Sequence, residues 1–314
     1  MNKEKYLDYQ GRKIFYRIIG LGEPVILIHG FGEDGEVWTA RPPQTPPKEG
    51  LANTQTSLFE NSLLISKFKF IIPDLPGSGK SEMIDNMSIE GMAEVIKSIA
   101  DMEASPSPSE GRVLESSKIE DSFNESESKV PPSGGFRGAL IGHSMGGYIT
   151  LAFAEKYPEY LNAFGLFHSS AYADSEEKKA VRRKGIEFIQ QHGSFEFLKT
   201  VIPNLFSPAS KDEMPESIDA FIQQQNNFSP AALVSYYEAM MQRPDRTDVL
   251  KKAKFPVLFI MGKYDNAVPI DDVLKQCHLP EKSYIHILEK SGHMGMMEEP
   301  DKSNRILENF LLDI

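Results

Sequence analysis

The chain has 314 residues, 40% of them hydrophobic and 25% charged, an ordinary globular composition with enough chain for one large core. Its formal net charge of −11 repels phosphate backbones, which argues against a nucleic-acid partner. The lone cysteine, Cys277, excludes an intrachain disulfide framework and a cysteine metal cluster, and reads as a small, partly buried thiol.

The first residues, Met1-Asn2-Lys3-Glu4-Lys5-Tyr6, have no apolar stretch behind them, so no secretory signal is expected. No apolar run approaches the length of a bilayer crossing, and the expectation is a cytoplasmic protein with no membrane partner. Residues 6–19 alternate around Gln10-Gly11 as a β-hairpin. The apolar run 24–28 reads as a strand and leads into His29-Gly30-Phe31-Gly32. Residues 39–62 carry Pro42-Pro43 and Pro46-Pro47 in polar sequence and interrupt the rhythm. A second strand, 68–72, ends in Asp74-Leu75-Pro76-Gly77-Ser78-Gly79-Lys80-Ser81. Its tail is similar to the end of a phosphate-binding loop, yet Asp74 stands where that motif needs its first glycine, and no helix starts at the lysine. A tight turn is the better reading, with Asp74 bonding its own backbone in an Asx turn and Lys80 solvated.

Residues 89–102 have helical periodicity, with Ser88 as the cap. Residues 104–135 hold nine serines, four prolines and six acidic residues among 32. That composition buries too little apolar surface to offset chain entropy, so a disordered and dispensable loop is expected rather than a catalytic lid. Strands follow at 138–141, 161–167, 255–261 and 284–288, with helices at 145–156 and 300–312. Short, continuous apolar runs suit strands buried on both faces of a parallel sheet. Between the strands at 161–167 and 255–261 lie helical patterns at 178–191, 195–202, 217–225 and 231–241. The fold class expected is α/β: a mostly parallel central sheet with an antiparallel N-terminal hairpin, flanked by helices. Residues 1–170 and 244–314 form the core, and 171–243 a helical cap over the carboxyl ends of the strands, where such sheets bind ligands.

Gly142-His143-Ser144-Met145-Gly146 fits G-x-S-x-G between a strand and a helix, the context in which that motif presents a serine nucleophile. A serine hydroxyl needs a base, and the base needs an orienting acid. Of the seven histidines, His293 lies in a loop after the last strand and before the last helix, where a base belongs. His29 and His143 flank glycines in tight turns and are accounted for by their neighbours, and His168 ends a strand and could line the pocket. The acid should close a strand between Ser144 and His293. Asp265 does so, Asp174 is the runner-up, and Asp271-Asp272 start a helix. The oxyanion needs two N–H donors: Met145 supplies one and Phe31 the other.

These landmarks, in this order, resemble the α/β-hydrolase superfamily, in particular its small helical-cap serine hydrolases and esterases. The resemblance spans nearly the whole chain apart from 39–62 and 104–135. It implies hydrolysis of a small carboxylic ester through a Ser144–His293–Asp265 acyl-enzyme mechanism, with no cofactor and no metal. Lactone, thioester or C–C bond cleavage with the same triad, or a ligand receptor without turnover, are the alternatives. Haloalkane dehalogenases and epoxide hydrolases of that superfamily use an aspartate nucleophile, and position 144 is serine. At helical spacing Ala232, Tyr236 and Met240 share a face that would roof the pocket, with His168 as its polar tip. Arg182, Arg183 and Lys184 are expected on a solvated helix, leaving an apolar pocket that favours a neutral, modest acyl chain. Oligomeric state is not legible in the sequence.

Overall fold

The computed structural model describes residues 2–39, 59, 62–104 and 136–314. Apart from Thr39, Phe59, Ser62 and Ala104, the expectations for residues 39–62 and 104–135 lie outside the described residues. In chain order the elements are β1 (Asn2–Tyr9), β2 (Arg12–Gly20), β3 (Glu23–Ile28), α1 (Ser62–Lys67), β4 (Phe68–Pro73), α2 (Ile89–Ala104), β5 (Gly138–His143), α3 (Met145–Lys156) and β6 (Leu161–Phe167). Five helices come next: α4 (Glu176–His192), α5 (Ser194–Val201), α6 (Pro208–Glu213), α7 (Pro215–Gln224) and α8 (Pro230–Gln242). The chain then returns to the sheet through α9 (Thr247–Lys252), β7 (Val257–Gly262), α10 (Ile270–Leu274), β8 (Ser283–Leu288), α11 (Gly295–Glu298) and α12 (Pro300–Asp313).

The hairpin forms as its alternation requires. β1 and β2 pair antiparallel from Asn2↔Ile19 to Tyr9↔Arg12. Gln10 (φ 54°) and Gly11 (φ 79°) make the turn, both left-handed, as a two-residue turn matching the strand twist demands. The eight described strands form one sheet in the order β1-β2-β4-β3-β5-β6-β7-β8. β2 meets β4 antiparallel, and every pair from β4 to β8 is parallel. β5 and β7 are buried along their whole length, which explains why they read as continuous apolar runs instead of alternating ones. α3 is buried from Met145 to Ala154, because it packs on β5 and β6 with α2 against its flank. A helix apolar on all sides is the type that such a site needs. None of the described helices is long and apolar enough to cross a membrane.

The turn after β4 is a tight reversal with Gly77 at φ 88° and Gly79 at φ 49°, backbone that favours glycine. Asp74 does not bond the backbone two residues on. Its Oδ2 accepts the Lys80 N–H (2.8 Å), while Oδ1 accepts from Gly35 N–H (3.1 Å) and Arg17 (3.3 Å). The carboxylate thus spans the whole turn and ties it to the loop after β3, because a buried charge needs several donors. Lys80 is half-exposed and pairs with Glu4 at 3.0 Å rather than standing free in solvent.

Candidate active site

The centre of the site is a single residue between a strand and a helix. β5 ends at His143 and α3 begins at Met145, so Ser144 alone makes the turn, at φ 50° and ψ −115°. A side-chain-bearing residue there is strained, and surrounding bonds must hold it. They do: its N–H donates to the Phe167 carbonyl (2.9 Å), and its carbonyl accepts from Gly147 N–H (3.0 Å) and Ser169 Oγ (2.7 Å). The glycines are a matter of space. A Cβ on residue 142 would stand 2.2 Å from the Gly146 carbonyl oxygen, and one on residue 146 would stand 2.4 Å from that of Ile28. Ser144 is left half-buried at the head of α3, where the helix end is partially positive.

The loop after β3 lies against this elbow, since a Cβ on Gly30 would sit 3.1 Å from the Ser144 Cβ. Among the described residues neither the Phe31 N–H nor the Met145 N–H has a protein acceptor. His29 fastens the loop: its Nδ1 bonds the Gly30 carbonyl (2.8 Å) and its Nε2 accepts the Leu75 N–H (2.9 Å).

His293 and Asp265 meet as expected. Nδ1 of His293 donates to Asp265 Oδ2 at 2.7 Å, and the His293 N–H is anchored on the Leu205 carbonyl at 2.6 Å. The other carboxylate oxygen accepts the N–H groups of Ala267 (2.9 Å) and Val268 (2.8 Å). Burial alone would raise this carboxyl group, but the neighbouring His293 and the hydrogen bonds from His168 and His293 hold it well below the usual carboxylate range. The competing acid, Asp174, is engaged elsewhere. Its Oδ2 pairs with Arg182 Nε at 2.5 Å and its Oδ1 with Arg243 Nη1 at 2.9 Å.

His168 is not a pocket tip. It is fully buried, its Nδ1 donates to Asp265 Oδ2 at 3.1 Å, and its Nε2 accepts the Gly295 N–H at 3.1 Å. That pair of bonds fixes the neutral tautomer protonated on Nδ1. Burial pushes its pKa down to about 4. The nitrogen and oxygen atoms of His168, Asp265 and His293 come within 4.8 Å of one another. Both histidines turn Nδ1 to the carboxylate, so these two ring nitrogens and Asp265 Oδ2 are engaged with one another.

A pH consequence follows for stability. A histidine depressed from its ordinary 6.5 contributes fully to the folded state above that value, and the contribution is lost as pH falls toward about 4. Urea-unfolding free energy should therefore drop across this window. In His168→Gln that part of the slope should disappear, and an unchanged slope would assign it to another group.

The helices between β6 and β7 reach down to these loops. Phe31 stacks on Tyr237 (centroids 4.4 Å, planes 9° apart) and meets Phe197 and Tyr236 edge-on, both at 6.3 Å. Tyr236 is fully buried and donates its hydroxyl to the Pro76 carbonyl at 2.7 Å; Met240 is buried beside it on α8. Tyr236 thus fastens α8 to the core, with its ring tilted 66° to that of Phe31. Arg182 departs from expectation. It is largely buried, with its guanidinium over the Tyr237 ring at 5.3 Å, whereas Arg183 is exposed. The cause is Gly185: a Cβ there would be 2.6 Å from the Tyr237 ring, so α4 sits close on Tyr237, and Arg182, three residues earlier, shares that face.

One member of the site has no sequence signal beyond an acid in a glycine-rich loop. Glu33 is buried, and its Oε2 accepts the Gly30 N–H (2.8 Å) and bonds His143 Nδ1 (3.0 Å). His143 in turn reaches the His293 carbonyl through Nε2 at 2.9 Å.

The chain is similar to known proteins over most of its length. Residues 25–305 match the model of the alpha/beta hydrolase family. A curated relative, the 2-hydroxy-6-oxononadienedioate/2-hydroxy-6-oxononatrienedioate hydrolase of Paraburkholderia phymatum, is 25% identical over 95% of this chain and 91% of its own. The 2-hydroxy-6-oxo-6-phenylhexa-2,4-dienoate hydrolase of Comamonas testosteroni is 23% identical over the same shares of the two chains. Among solved structures, a thermophilic esterase from Thermogutta terrifontis superposes with a TM-score of 0.77 at 23% identity, over 99% of this chain and 98% of its own. The enol-lactonase of Burkholderia xenovorans gives 0.74 at 18% identity, over 98% of this chain and 100% of its own. With a family model spanning most of its length and a sheet of the matching topology, this chain belongs to the alpha/beta hydrolase family, and it is a hydrolase.

Proposed function

We propose that this hydrolase cleaves a small carboxylic ester through a covalent acyl-enzyme. Ser144 Oγ attacks the carbonyl carbon while His293 Nε2 takes its proton. Asp265 orients His293 and stabilises the imidazolium that forms. The N–H groups of Phe31 and Met145 hold the oxyanion. His293 then gives its proton to the leaving alkoxide as the ester C–O bond breaks. Water, deprotonated by His293, releases the acid and restores Ser144. The observation that carries this reading is the 2.7 Å bond from His293 Nδ1 to Asp265, together with a serine that the backbone holds at φ 50° at the head of α3. The same proposal treats residues 171–243 as a cap between the two parts of the core, with Tyr236 as its fastening. It places the protein in the cytoplasm with a small-molecule substrate and, at a net charge of −11, without nucleic acid.

The test is turnover of p-nitrophenyl esters of rising acyl length, with Ser144→Ala as the blank. Each methylene buried in the transition state should gain about 0.8 kcal/mol, about fourfold in kcat/KM, until the pocket is full. We expect a rise from acetate to butyrate or hexanoate and then a fall. A monotonic decline from acetate would refute the acyl pocket. Acylation by an active-site probe without multiple turnover on any ester would mark a receptor instead.

A second reading, cleavage of a C–C bond in an acidic substrate, has an observation of its own. Asp174 is shared by two guanidiniums, Arg182 and Arg243, so the group beside Tyr237 carries one positive charge more than it neutralises. The two curated relatives named above are hydrolases of such acids. A kcat/KM on a 2-hydroxy-6-oxo-dienoic acid about a hundredfold above the best ester, some 2.7 kcal/mol of transition-state binding, would favour this reading over the ester.

A further inference from the structure

His143 sits immediately before Ser144 and is fully buried. Both of its ring nitrogens face acceptors: Glu33 Oε2 at 3.0 Å from Nδ1 and the His293 carbonyl oxygen at 2.9 Å from Nε2. A neutral imidazole has one N–H and can donate to only one of them. With Glu33 ionised, making both bonds requires the imidazolium, and the adjoining carboxylate supplies its counter-charge. Glu33 Oε2 also accepts the Gly30 N–H at 2.8 Å, next to the Phe31 N–H. A continuous path therefore runs from the loop after β3, through Glu33 and His143, to the main chain of His293.

We propose that Glu33 and His143 are positioning residues, a buried carboxylate–imidazolium pair that locks the Gly30-Phe31 loop and the His293 main chain in register with Ser144. The proposal rests on the reading of Ser144 and His293 as nucleophile and base. Neither member of the pair touches the reacting atoms; each acts through the backbone that it holds.

The electrostatics agree with the geometry. Burial by itself would drive the proton off His143, but the charge and hydrogen bond of Glu33, the His293 carbonyl and the charge of Asp265 outweigh it and raise the ring above its ordinary value. Burial would likewise protonate Glu33, but the charge and hydrogen bond of His143, the Gly30 N–H and His29 hold its carboxyl below the ordinary range. The titratable groups facing the ring are Glu33 after β3, Asp265 after β7, His293 after β8 (ring centroids 5.0 Å) and His168 after β6 (5.9 Å). Of the two carboxylates, Glu33 alone is hydrogen-bonded to it.

The test is the ring protonation of His143 in the whole protein, read with the pH profile of Glu33→Gln. Proton–nitrogen spectra of uniformly labelled protein should show one histidine with both ring N–H groups in place from about pH 7.5 to about pH 8.5, where a free histidine is mostly neutral. This pair of signals should be the one that Glu33→Gln removes or shifts. Glutamine keeps an oxygen for the Gly30 N–H and removes the charge. The alkaline limb of kcat should therefore move down by about 1–3 pH units. At about pH 8 kcat should fall about tenfold with KM changed less than about threefold, and it should recover toward about pH 6 as the ring regains its proton. A His143 ring with a single N–H in the wild type at about pH 7 would overturn the proposal. So would a Glu33→Gln profile lowered equally at every pH, which is what a purely structural role gives. If Glu33→Gln does not fold, the wild-type spectrum decides alone. Turnover persisting in Ser144→Ala would defeat the reading of the site itself, whatever the state of His143.

Discussion

Ser144→Ala should lower kcat by about a million-fold while leaving the folded protein in place, the loss that removal of a triad serine produces in a serine protease. The size follows from the division of labour at the site. Without Oγ there is no covalent intermediate, and the remaining rate comes from the two free N–H donors and from binding. Stability should change by less than about 1 kcal/mol, because the half-buried side chain is small and the strained backbone is held by main-chain contacts that alanine keeps. Those contacts are the bonds from the Ser144 N–H to Phe167 and from Gly147 and Ser169 to the Ser144 carbonyl. The measurements are pre-steady-state and steady-state turnover on the best ester, with urea unfolding as the control. Activity within about tenfold of wild type, a barrier change of only about 1.4 kcal/mol, would remove Ser144 from the role of nucleophile.

The sequence carries this site unevenly, for physical reasons. Ser144 was legible because its geometry constrains neighbours in the chain: the elbow admits nothing larger than glycine at 142 and 146, and those glycines stand in the sequence. The hairpin is legible in its alternation around Gln10-Gly11, and the parallel strands and α3 are legible because burial on two faces, or on all sides, writes a local pattern. α1, α6, α9 and α11 leave no such pattern. Each has six residues or fewer, too few to display a helical period.

Long-range polar contacts leave less trace. Nothing near Glu33 in the chain announces a bond to residue 143, and nothing near His168 announces that its Nε2 is taken by Gly295. The sequence offered His168 as a pocket tip because it ends a strand. Tertiary packing instead placed it behind Asp265, at φ 49°. Arg182 departs from its sequence pattern for a related reason. Polar helix positions read as solvent-facing until a glycine, here Gly185, brings the helix close enough for an arginine to lie on an aromatic ring.

Asp265→Asn and Asp174→Asn should fail in different measurements. Asp265 accepts at both oxygens: backbone N–H groups of Ala267 and Val268 at Oδ1, ring N–H groups of His293 and His168 at Oδ2. An amide has one acceptor end. If its oxygen stays with the backbone pair, its NH₂ faces His293 Nδ1 and selects the tautomer protonated on Nε2, which cannot take a proton from Ser144. His168 would be forced the same way, and its Nε2 proton would then oppose the Gly295 N–H. The wrong tautomer costs about 10⁴ in kcat in a serine protease, and a comparable loss is expected here with a smaller change in KM. Asp174→Asn instead leaves the buried Arg243 and the largely buried Arg182 without their carboxylate. Breaking a buried ion pair from one side costs about 3–5 kcal/mol of stability, while kcat of the remaining folded protein should stay within about tenfold of wild type, a barrier change of up to about 1.4 kcal/mol. Turnover normalised to folded fraction separates the two. A crippled kcat in Asp174→Asn beside a mild Asp265→Asn would mean that Asp174, and not Asp265, orients the base.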